Sequence, residues 1–237
     1  MIKTILKYLY MVKLGFKYIH IYKKTFFHPF ISQKAAYKQL SIDRGKYSNS
    51  VLNYLNIEVK QIGQLPQKDH VLYAINHRSL LDIIVMENIF SKHDKSGVWI
   101  AKQELFDAIY GDFFRYSGCI SVDLEGGKGL LNFFKSIKTA LKKVNNLNIY
   151  IFPEGERNKD DGIMKFQSGA QKIAKSNKLD IVPVFINDKL EDIFQQAPFE
   201  TTKTIEVHIG NIIKHNNLEE DYIKFMQDAK NKGGNDG

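Results

Sequence analysis

A histidine and an aspartate five positions apart are the first residues of this chain whose types and spacing could do chemistry. His77 and Asp82 stand in the segment Asn76–Asp82 (NHRSLLD), directly after an apolar run at Val71–Ile75 that has the composition of a strand. A carboxylate beside an imidazole fixes the tautomer of the ring and stabilises its protonated form, so the other ring nitrogen can take a proton from a hydroxyl. The pair therefore predicts general-base catalysis in which the nucleophile is the substrate's own alcohol.

The same spacing also has a purely structural interpretation. Ser79 and Asp82 form an S-x-x-D arrangement at the predicted start of a helix, where a carboxylate in the first turn favours the helix N-terminus. The pair alone leaves catalysis and helix capping open. A serine hydrolase is a weaker alternative, because the chain has no G-x-S-x-G motif.

Two further segments stand directly after or within predicted strands. The string Phe152–Arg157 (FPEGER) follows the apolar run that begins at Asn148, and Val182–Val184 (VPV) places a proline inside an apolar run. A proline and a glycine after a strand are ordinary turn chemistry, and a proline in a strand marks an edge or a strained end. Neither string would indicate a function by itself.

Taken together and in this order, the segments resemble the motifs of the glycerolipid acyltransferases, specifically the lysophosphatidate (1-acyl-glycerol-3-phosphate) acyltransferase family. N-H-x4-D is the first motif of that family, F-P-E-G-T-R is the third and V-P-V is the fourth. Two more segments resemble the A-K-x-E-L and D-G-x-x-x-F-K-x-G-A runs of these enzymes: Ala101–Leu105 (AKQEL) and Gly162–Ala170 (GIMKFQSGA). The resemblance covers about residues 70–186.

The resemblance implies an α/β acyltransferase. Such an enzyme moves a fatty acyl group from an acyl thioester, either acyl-CoA or acyl-carrier protein, to the hydroxyl of a lysophospholipid, and 1-acyl-glycerol-3-phosphate would give phosphatidate. It implies no metal and no cofactor beyond the thioester co-substrate. The residues it assigns are two catalytic ones, His77 and Asp82, and four that bind substrate: Lys102, Glu154, Gly155 and Arg157.

The chain departs from the family pattern at two positions. The second motif, G-x-I-x-x-D-R, ends in an arginine that helps to hold the acceptor's phosphate, and here that position is Leu124; the third motif has Glu156 in place of threonine. Both changes remove or oppose positive charge. They leave two alternatives open: a different lysolipid acceptor, or a membrane-binding scaffold without turnover.

Positive charge is concentrated at the N-terminus. Residues 1–50 hold nine lysines and one arginine against a single acid, while the other 187 residues hold 24 basic and 25 acidic side chains. All of the chain's excess of basic residues is therefore assigned to the N-terminal segment. Asymmetry of this kind favours an anionic partner surface.

The pattern in this segment is that of an amphipathic helix. Lys3, Lys7, Lys13, Lys17 and Lys24 share an arc of about 120° on a helical projection, opposite a face of aliphatic and aromatic residues. This predicts a helix that lies on an anionic membrane, at the cytoplasmic face of the cell membrane, as a peripheral and not a spanning element. A helix packed on its own domain is the alternative, and nucleic acid is disfavoured because the remaining chain is slightly acidic and offers no recognised module.

The remaining chain alternates short runs rich in Ile, Val and Tyr with longer helical patterns. This predicts an α/β domain with a mostly parallel mixed sheet flanked by helices, and sites at the carboxyl ends of its strands. We expect a basic amphipathic two-helix membrane-docking region at 1–55, the acyltransferase domain at 56–230 and a disordered tail at 231–237. The single cysteine, Cys119, excludes an intrachain disulfide, and both it and Trp99 are assigned to the core.

Overall fold

Seven strands form one mixed sheet in the computed structural model, which describes residues 2–123 and 127–233. The strands are β1 (Ile57–Ile62), β2 (Val71–Ile75), β3 (Gly97–Lys102), β4 (Ile120–Val122), β5 (Asn148–Ile151), β6 (Asp180–Ile186) and β7 (Lys203–Ile209). Their order is β1-β7-β6-β2-β5-β3-β4, and every neighbouring pair is parallel except β6 and β7. The predicted α/β class with a mostly parallel sheet is confirmed.

Nine α-helices lie within the described residues. They are α1 (Ile2–Phe26), α2 (Gln33–Leu55), α3 (Leu81–Lys92), α4 (Gln103–Asp107), α5 (Gly111–Tyr116), α6 (Gly127–Lys143), α7 (Gly169–Asn177), α8 (Leu190–Gln196) and α9 (Leu218–Gly233). The sequence patterns predict the longer helices and miss α4, α5 and α8. Those three have five to seven residues, which is too short for a 3.6-residue periodicity to be recognised.

The sheet is covered by helices on both faces. Val71, Tyr73 and Ile75 of β2 belong to one core cluster, and the alternating Leu72 and Ala74 belong to a second. Since successive strand residues point to opposite faces, these clusters are the two sides of the sheet. The first side is packed by α1, α2, α3 and α8, and the second by α6 and α7.

Helix α1 packs on the domain along one stripe and leaves an apolar stripe exposed. Leu14, Tyr18 and Tyr22 are buried in the first core cluster. The large apolar residues that stay exposed along the helix are Ile2, Ile5, Leu6, Tyr8, Leu9, Val12, Phe16 and Phe26. The sequence predicts two faces on this helix, and the structure has three: a face of exposed lysines, a face of exposed apolar residues and a stripe that packs on the domain.

The predicted place of Lys7 on the cationic face of the helix is wrong. Its side chain is fully buried, and its Nζ donates to the backbone oxygens of Phe194 (2.6 Å) and Gln195 (3.1 Å) at the end of α8. The last carbonyls of a helix lack intrahelical donors, so a buried ammonium there satisfies them. The helical projection could not reveal this, because α8 was not predicted.

Helix α9 extends past the residue at which the predicted tail begins. Helix α9 runs through Gly233, three residues into the segment for which disorder was predicted, and residues 234–237 lie outside the described part of the chain. None of the described helices has the length and apolarity needed to cross a bilayer. Trp99 is in the core, as predicted, and Cys119 is partly buried and packs against it.

Candidate active site

Four adjacent parallel strands end at the same edge of the sheet, and the sequence-predicted site residues follow them. Strands β2, β5, β3 and β4 are consecutive neighbours in the sheet. His77 follows β2, Glu154–Arg157 follow β5, and Lys102 is the last residue of β3. The carboxyl edge of a parallel sheet is where loops converge on a ligand site.

His77 and Asp82 are in direct contact. His77 Nδ1 lies 2.8 Å from Asp82 Oδ2, and the His77 side chain keeps 13% of its surface exposed while that of Asp82 keeps 2%. An aspartate oxygen accepts a hydrogen bond, so the contact places the imidazole proton on Nδ1 and leaves Nε2 with its lone pair. The arrangement can therefore take a proton at Nε2 from a hydroxyl that reaches the ring.

Asp82 also caps the helix on which it stands. The same Oδ2 atom accepts the backbone N–H groups of Arg78 (2.7 Å) and Ser79 (2.8 Å). The N-cap residue of α3 is Leu80, so the Ser79 contact resembles one half of a capping box displaced by one residue toward the preceding loop. The structural and the catalytic interpretations of the spacing are therefore both compatible with one geometry, because one oxygen makes all three contacts.

An aromatic stack holds the plane of the His77 ring. The ring of Phe152 lies parallel to it, at 3.8 Å between centroids and 10° between planes. Trp99 stacks on the same phenylalanine at 5.1 Å, and its Nε1 donates to the buried carboxylate of Glu87 at 2.7 Å. The imidazole is thus restrained at Nδ1 by a hydrogen bond and at one face by a packed aromatic ring.

Glu154 joins the third motif to the first. Its Oε1 accepts the backbone N–H of His77 and its Oε2 accepts that of Met164, each at 2.7 Å. The residue is 1% exposed, and burial raises the pKa of its carboxyl although both N–H groups and His77 act to lower it. The backbone oxygen of His77 accepts from Asn158 N–H at 2.7 Å, so the loop after β5 holds both polar backbone groups of His77.

Gly155 is a glycine for conformational reasons. Its φ of +79° lies in the left-handed region, and a Cβ there would approach Gln167 Cγ at 3.1 Å. Its N–H donates to Phe152 O at 3.0 Å and closes the turn that presents Glu154. The predicted roles of Glu154 and Gly155 toward an acceptor thus rest on a loop that these residues themselves shape.

Two cations at this edge have no partner in the described part of the chain. The side chains of Lys102 and Arg157 are exposed, and neither side chain makes a hydrogen bond or an ion pair with a described residue. The Arg78 side chain, in contrast, already has partners within the protein: its guanidinium donates to the backbone oxygens of Asn187 (3.1 Å) and Gly162 (2.8 Å). Leu124, the departure in the second motif, lies outside the described residues.

Sequence reasoning missed several long-range contacts that build this site. Asn76 brackets the backbone of Ile186 through both amide atoms, at 2.9 and 2.8 Å, and so fixes the end of β2 on β6. Ser79 Oγ donates to Glu191 Oε2 at 2.9 Å and ties the loop after β2 to α8. The only available signal was the position of Asn76 and Ser79 inside the first motif; Glu191 lies in a short helix with none.

Comparison with known proteins gives one consistent picture. Residues 56–187 match the sequence model of a family described as Acyltransferase. A 1-acyl-sn-glycerol-3-phosphate acyltransferase of Helicobacter pylori is 37% identical over 134 residues, which are 56% of this chain and 54% of that protein. A protein of the same name from Cocos nucifera is 30% identical over 116 residues, 48% of this chain and 36% of that protein.

A solved structure shares the fold. The crystal structure of the 1-acyl-sn-glycerophosphate (LPA) acyltransferase PlsC from Thermotoga maritima superposes with a TM-score of 0.69 at 21% identity, covering 98% of this chain and 95% of that one. The likeness includes the N-terminal helices as well as the sheet. The matches to the two curated relatives span about half of one protein and about a third of the other.

Proposed function

Since the chain belongs to the Acyltransferase family, we propose that it transfers a fatty acyl group from an acyl thioester to the hydroxyl of a lysophospholipid. The acceptor we propose is 1-acyl-glycerol-3-phosphate, which would become phosphatidate in phospholipid synthesis; the names of the relatives support this choice. The observation that carries the proposal is the contact between His77 Nδ1 and Asp82 Oδ2, which leaves Nε2 as a base. The donor is acyl-CoA or acyl-carrier protein.

In the proposed reaction, His77 acts as the base and Asp82 orients and charges it. Nε2 takes the proton of the acceptor hydroxyl as its oxygen attacks the thioester carbonyl carbon. A C–O bond forms and the C–S bond breaks, and the departing thiolate takes the proton back from the imidazolium. Asp82 stabilises the imidazolium between the two proton transfers, and the Phe152 stack keeps the ring in place.

The acceptor's phosphate needs cations, and we assign it to Arg157 and Lys102. Both side chains are exposed at the same edge of the sheet as His77. The planar fork of a guanidinium suits phosphate oxygens. Glu154 and Gly155 shape the acceptor side of the site by fixing the loop between Phe152 and Asn158. Leu124 stands where an arginine is usual in the family. Two alternatives therefore remain open: an acceptor with a different lysolipid headgroup, and a membrane-binding scaffold without turnover.

A substrate panel tests this function. Purified protein is offered lysophosphatidate, lysophosphatidylglycerol, lysophosphatidylethanolamine and lysophosphatidylcholine, each with acyl-CoA and with acyl-carrier protein, and products are identified by mass spectrometry. Phosphatidate as the main product supports the proposal. A different diacyl product changes the acceptor, and no product from any pair, with folded protein, indicates a scaffold.

We also propose that the exposed stripe of α1 docks on an anionic membrane from the cytoplasmic side, as a peripheral contact. Eight large apolar side chains are exposed along this helix, and the exposed Lys3, Lys13, Lys17 and Lys24 accompany them. An apolar strip of this kind buried in the headgroup region, with lysines at anionic lipids, would bring the sheet edge to the layer that holds the lipid substrate.

Substitution is a cleaner test of docking than deletion, because Leu14, Tyr18 and Tyr22 of the same helix belong to the core. The triple variant Leu9→Ser, Val12→Ser, Phe16→Ser is expected to lose binding to vesicles of phosphatidylglycerol and phosphatidylcholine in a sedimentation assay. The control Ile212→Ser removes an exposed apolar side chain outside α1. Equal binding of the triple variant and the wild type contradicts docking through this stripe.

A further inference from the structure

A second basic surface lies on the side of the sheet opposite α1. Seven lysines are exposed there, and we call them the α6–α7 lysine face: Lys135, Lys138, Lys142, Lys143, Lys172, Lys175 and Lys178. Helices α6 and α7 both pack into the second core cluster, through residues such as Ile137 and Ile173. None of the seven lysines forms an ion pair with an acid that the structure describes.

The near neutrality of residues 51–237 conceals this surface. Residues 126–153 and 162–179 contain nine lysines and neither Asp nor Glu. The other residues after position 50 hold 15 basic and 25 acidic side chains, a net charge of −10. The net charge of residues 51–237 is therefore close to zero, as the sequence analysis states, but their positive and negative charges lie on different surfaces. A patch of like charges repels itself, and it favours an acidic partner that neutralises it.

The composition of the face distinguishes it from the proposed membrane contact. Between its lysines stand Ser136, Thr139 and Ser176, and the exposed large apolar residue of α6 is Leu131 at the start of the helix. Helix α1, in contrast, exposes eight large apolar side chains. The α6–α7 lysine face is charged but has no strip of apolar side chains that could insert into a bilayer. It also lies on the other side of the sheet from α1. This favours a water-soluble acidic partner over a second bilayer contact.

The position of the face connects it to the donor. Helix α6 follows β4, and α7 follows the loop that carries Glu154 and Arg157, so both helices start at the carboxyl edge of the sheet and run back from it. The lysines stand in the second half of α6 and along α7, so a protein docked on them would lie back from that edge. A thioester on a flexible arm of that protein would extend along the helices and around the edge to reach His77.

We propose that the α6–α7 lysine face is the docking surface for an acidic acyl-carrier protein that delivers the acyl thioester. The inference rests on the proposed function and deepens it, because it chooses between the two donor classes. Electrostatic complementarity of this kind raises association rates and is weakened by salt. Acyl-CoA, which brings no protein surface, should be indifferent to the lysines at the centre of the face.

The test compares two charge-matched triple variants. Lys138→Glu, Lys142→Glu, Lys175→Glu reverses three charges on the face; Lys92→Glu, Lys203→Glu, Lys214→Glu reverses three exposed lysines elsewhere. For each, KM and kcat are measured with palmitoyl-loaded carrier protein and with palmitoyl-CoA at low salt, and binding of the unacylated carrier protein is measured by titration. The face variant is expected to raise KM for the carrier substrate at least about tenfold, to weaken carrier binding in parallel and to leave kinetics with palmitoyl-CoA unchanged.

Other results overturn the inference in identifiable ways. Unchanged carrier binding in the face variant, or no binding by the wild type, removes the docking surface. An equal rise in KM for palmitoyl-CoA assigns the lysines to the phosphates of the coenzyme, and a loss of vesicle binding assigns them to the membrane. If the wild type binds the carrier through these lysines and forms no lipid product, the proposed function fails while the docking surface stands.

Discussion

Asp82 holds the His77 ring with the same oxygen that caps helix α3. Oδ2 lies 2.8 Å from His77 Nδ1 and accepts the N–H groups of Arg78 and Ser79 at 2.7 and 2.8 Å. The helix cap and the orientation of the imidazole are therefore coupled, and a substitution that keeps the oxygen but removes the charge separates the two.

Asp82→Asn is that substitution. An amide oxygen can occupy the position of Oδ2 and keep all three contacts, so stability should change little, while the imidazolium loses its counter-charge. We expect kcat to fall roughly 5- to 30-fold, since charged hydrogen bonds exceed neutral ones by about 1–2 kcal/mol. A loss of stability with an unchanged rate would indicate that Asp82 serves only as a helix cap.

Glu154→Gln tests the clamp on the backbone of His77. An amide supplies one acceptor oxygen where the carboxylate supplies two, so one buried N–H, of His77 or Met164, loses its partner at a cost of about 1–3 kcal/mol. We expect lower stability in urea unfolding and a reduced kcat. The matched control is Glu156→Gln, an exposed glutamate two residues along the same loop.

The pH dependence of this effect has a definite sign. Burial raises the pKa of Glu154 above its ordinary 4.5, so the folded protein holds this proton more tightly than the unfolded chain. Its contribution to stability is present below pH 4.5 and declines as pH rises through the folded pKa. The stability advantage of the wild type over Glu154→Gln should therefore shrink on going upward from pH 4.5. An advantage that grows with pH contradicts the raised pKa.

Phe152→Leu removes the ring that stacks on His77. The centroid separation of 3.8 Å means that no other group can replace the contact without movement of the loop. We expect kcat to fall about two- to tenfold, which corresponds to the roughly 0.5–1.5 kcal/mol of an aromatic pair, with KM little changed. Phe152→Tyr keeps the ring and should retain most of the rate. Equal rates for the leucine and tyrosine variants, at whatever level, argue against positioning by the stack.

Arg44 and Glu87 link α2 to α3, the helix that carries Asp82. Arg44 Nε donates to Glu87 Oε1 at 2.7 Å, both side chains are buried, and the guanidinium also donates to Ser117 O and Gly97 O. Arg44→Met leaves a buried carboxylate unpaired and should destabilise the protein by about 3–5 kcal/mol. The double variant Arg44→Met, Glu87→Gln should recover part of that loss in urea unfolding, because the amide still accepts from Trp99. No recovery indicates that the backbone contacts of Arg44 dominate.

The sequence predicts contacts between residues that are close along the chain, and it does not predict contacts between residues that are far apart. The alternation in Val71–Ile75 and the pairing of His77 with Asp82 are local, because a strand end and the first turn of the next helix bring them together. The contacts of His77 with Phe152 and Glu154 join residues 75 to 77 positions apart and depend on β2 and β5 being neighbours. Motif resemblance placed these residues in one site without revealing which atoms meet.

Charge was the least predictable property. Lys7 has the sequence context of a solvent-exposed lysine, and it is buried because the end of α8 presents two carbonyls to it. The α6–α7 lysine face disappears when charges are summed over the domain, because acids elsewhere offset it. Both features depend on where helices pack, which a linear pattern does not contain.

The central claim is that His77 Nε2 takes the proton of the acceptor alcohol, and His77→Ala tests it most directly. The measurement is the initial rate of product formation from lysophosphatidate and a palmitoyl thioester, with wild type and variant matched for folding by circular dichroism and thermal unfolding. We expect a rate at the background of the enzyme-free mixture. Turnover by the folded alanine variant within a few-fold of the wild type would contradict it.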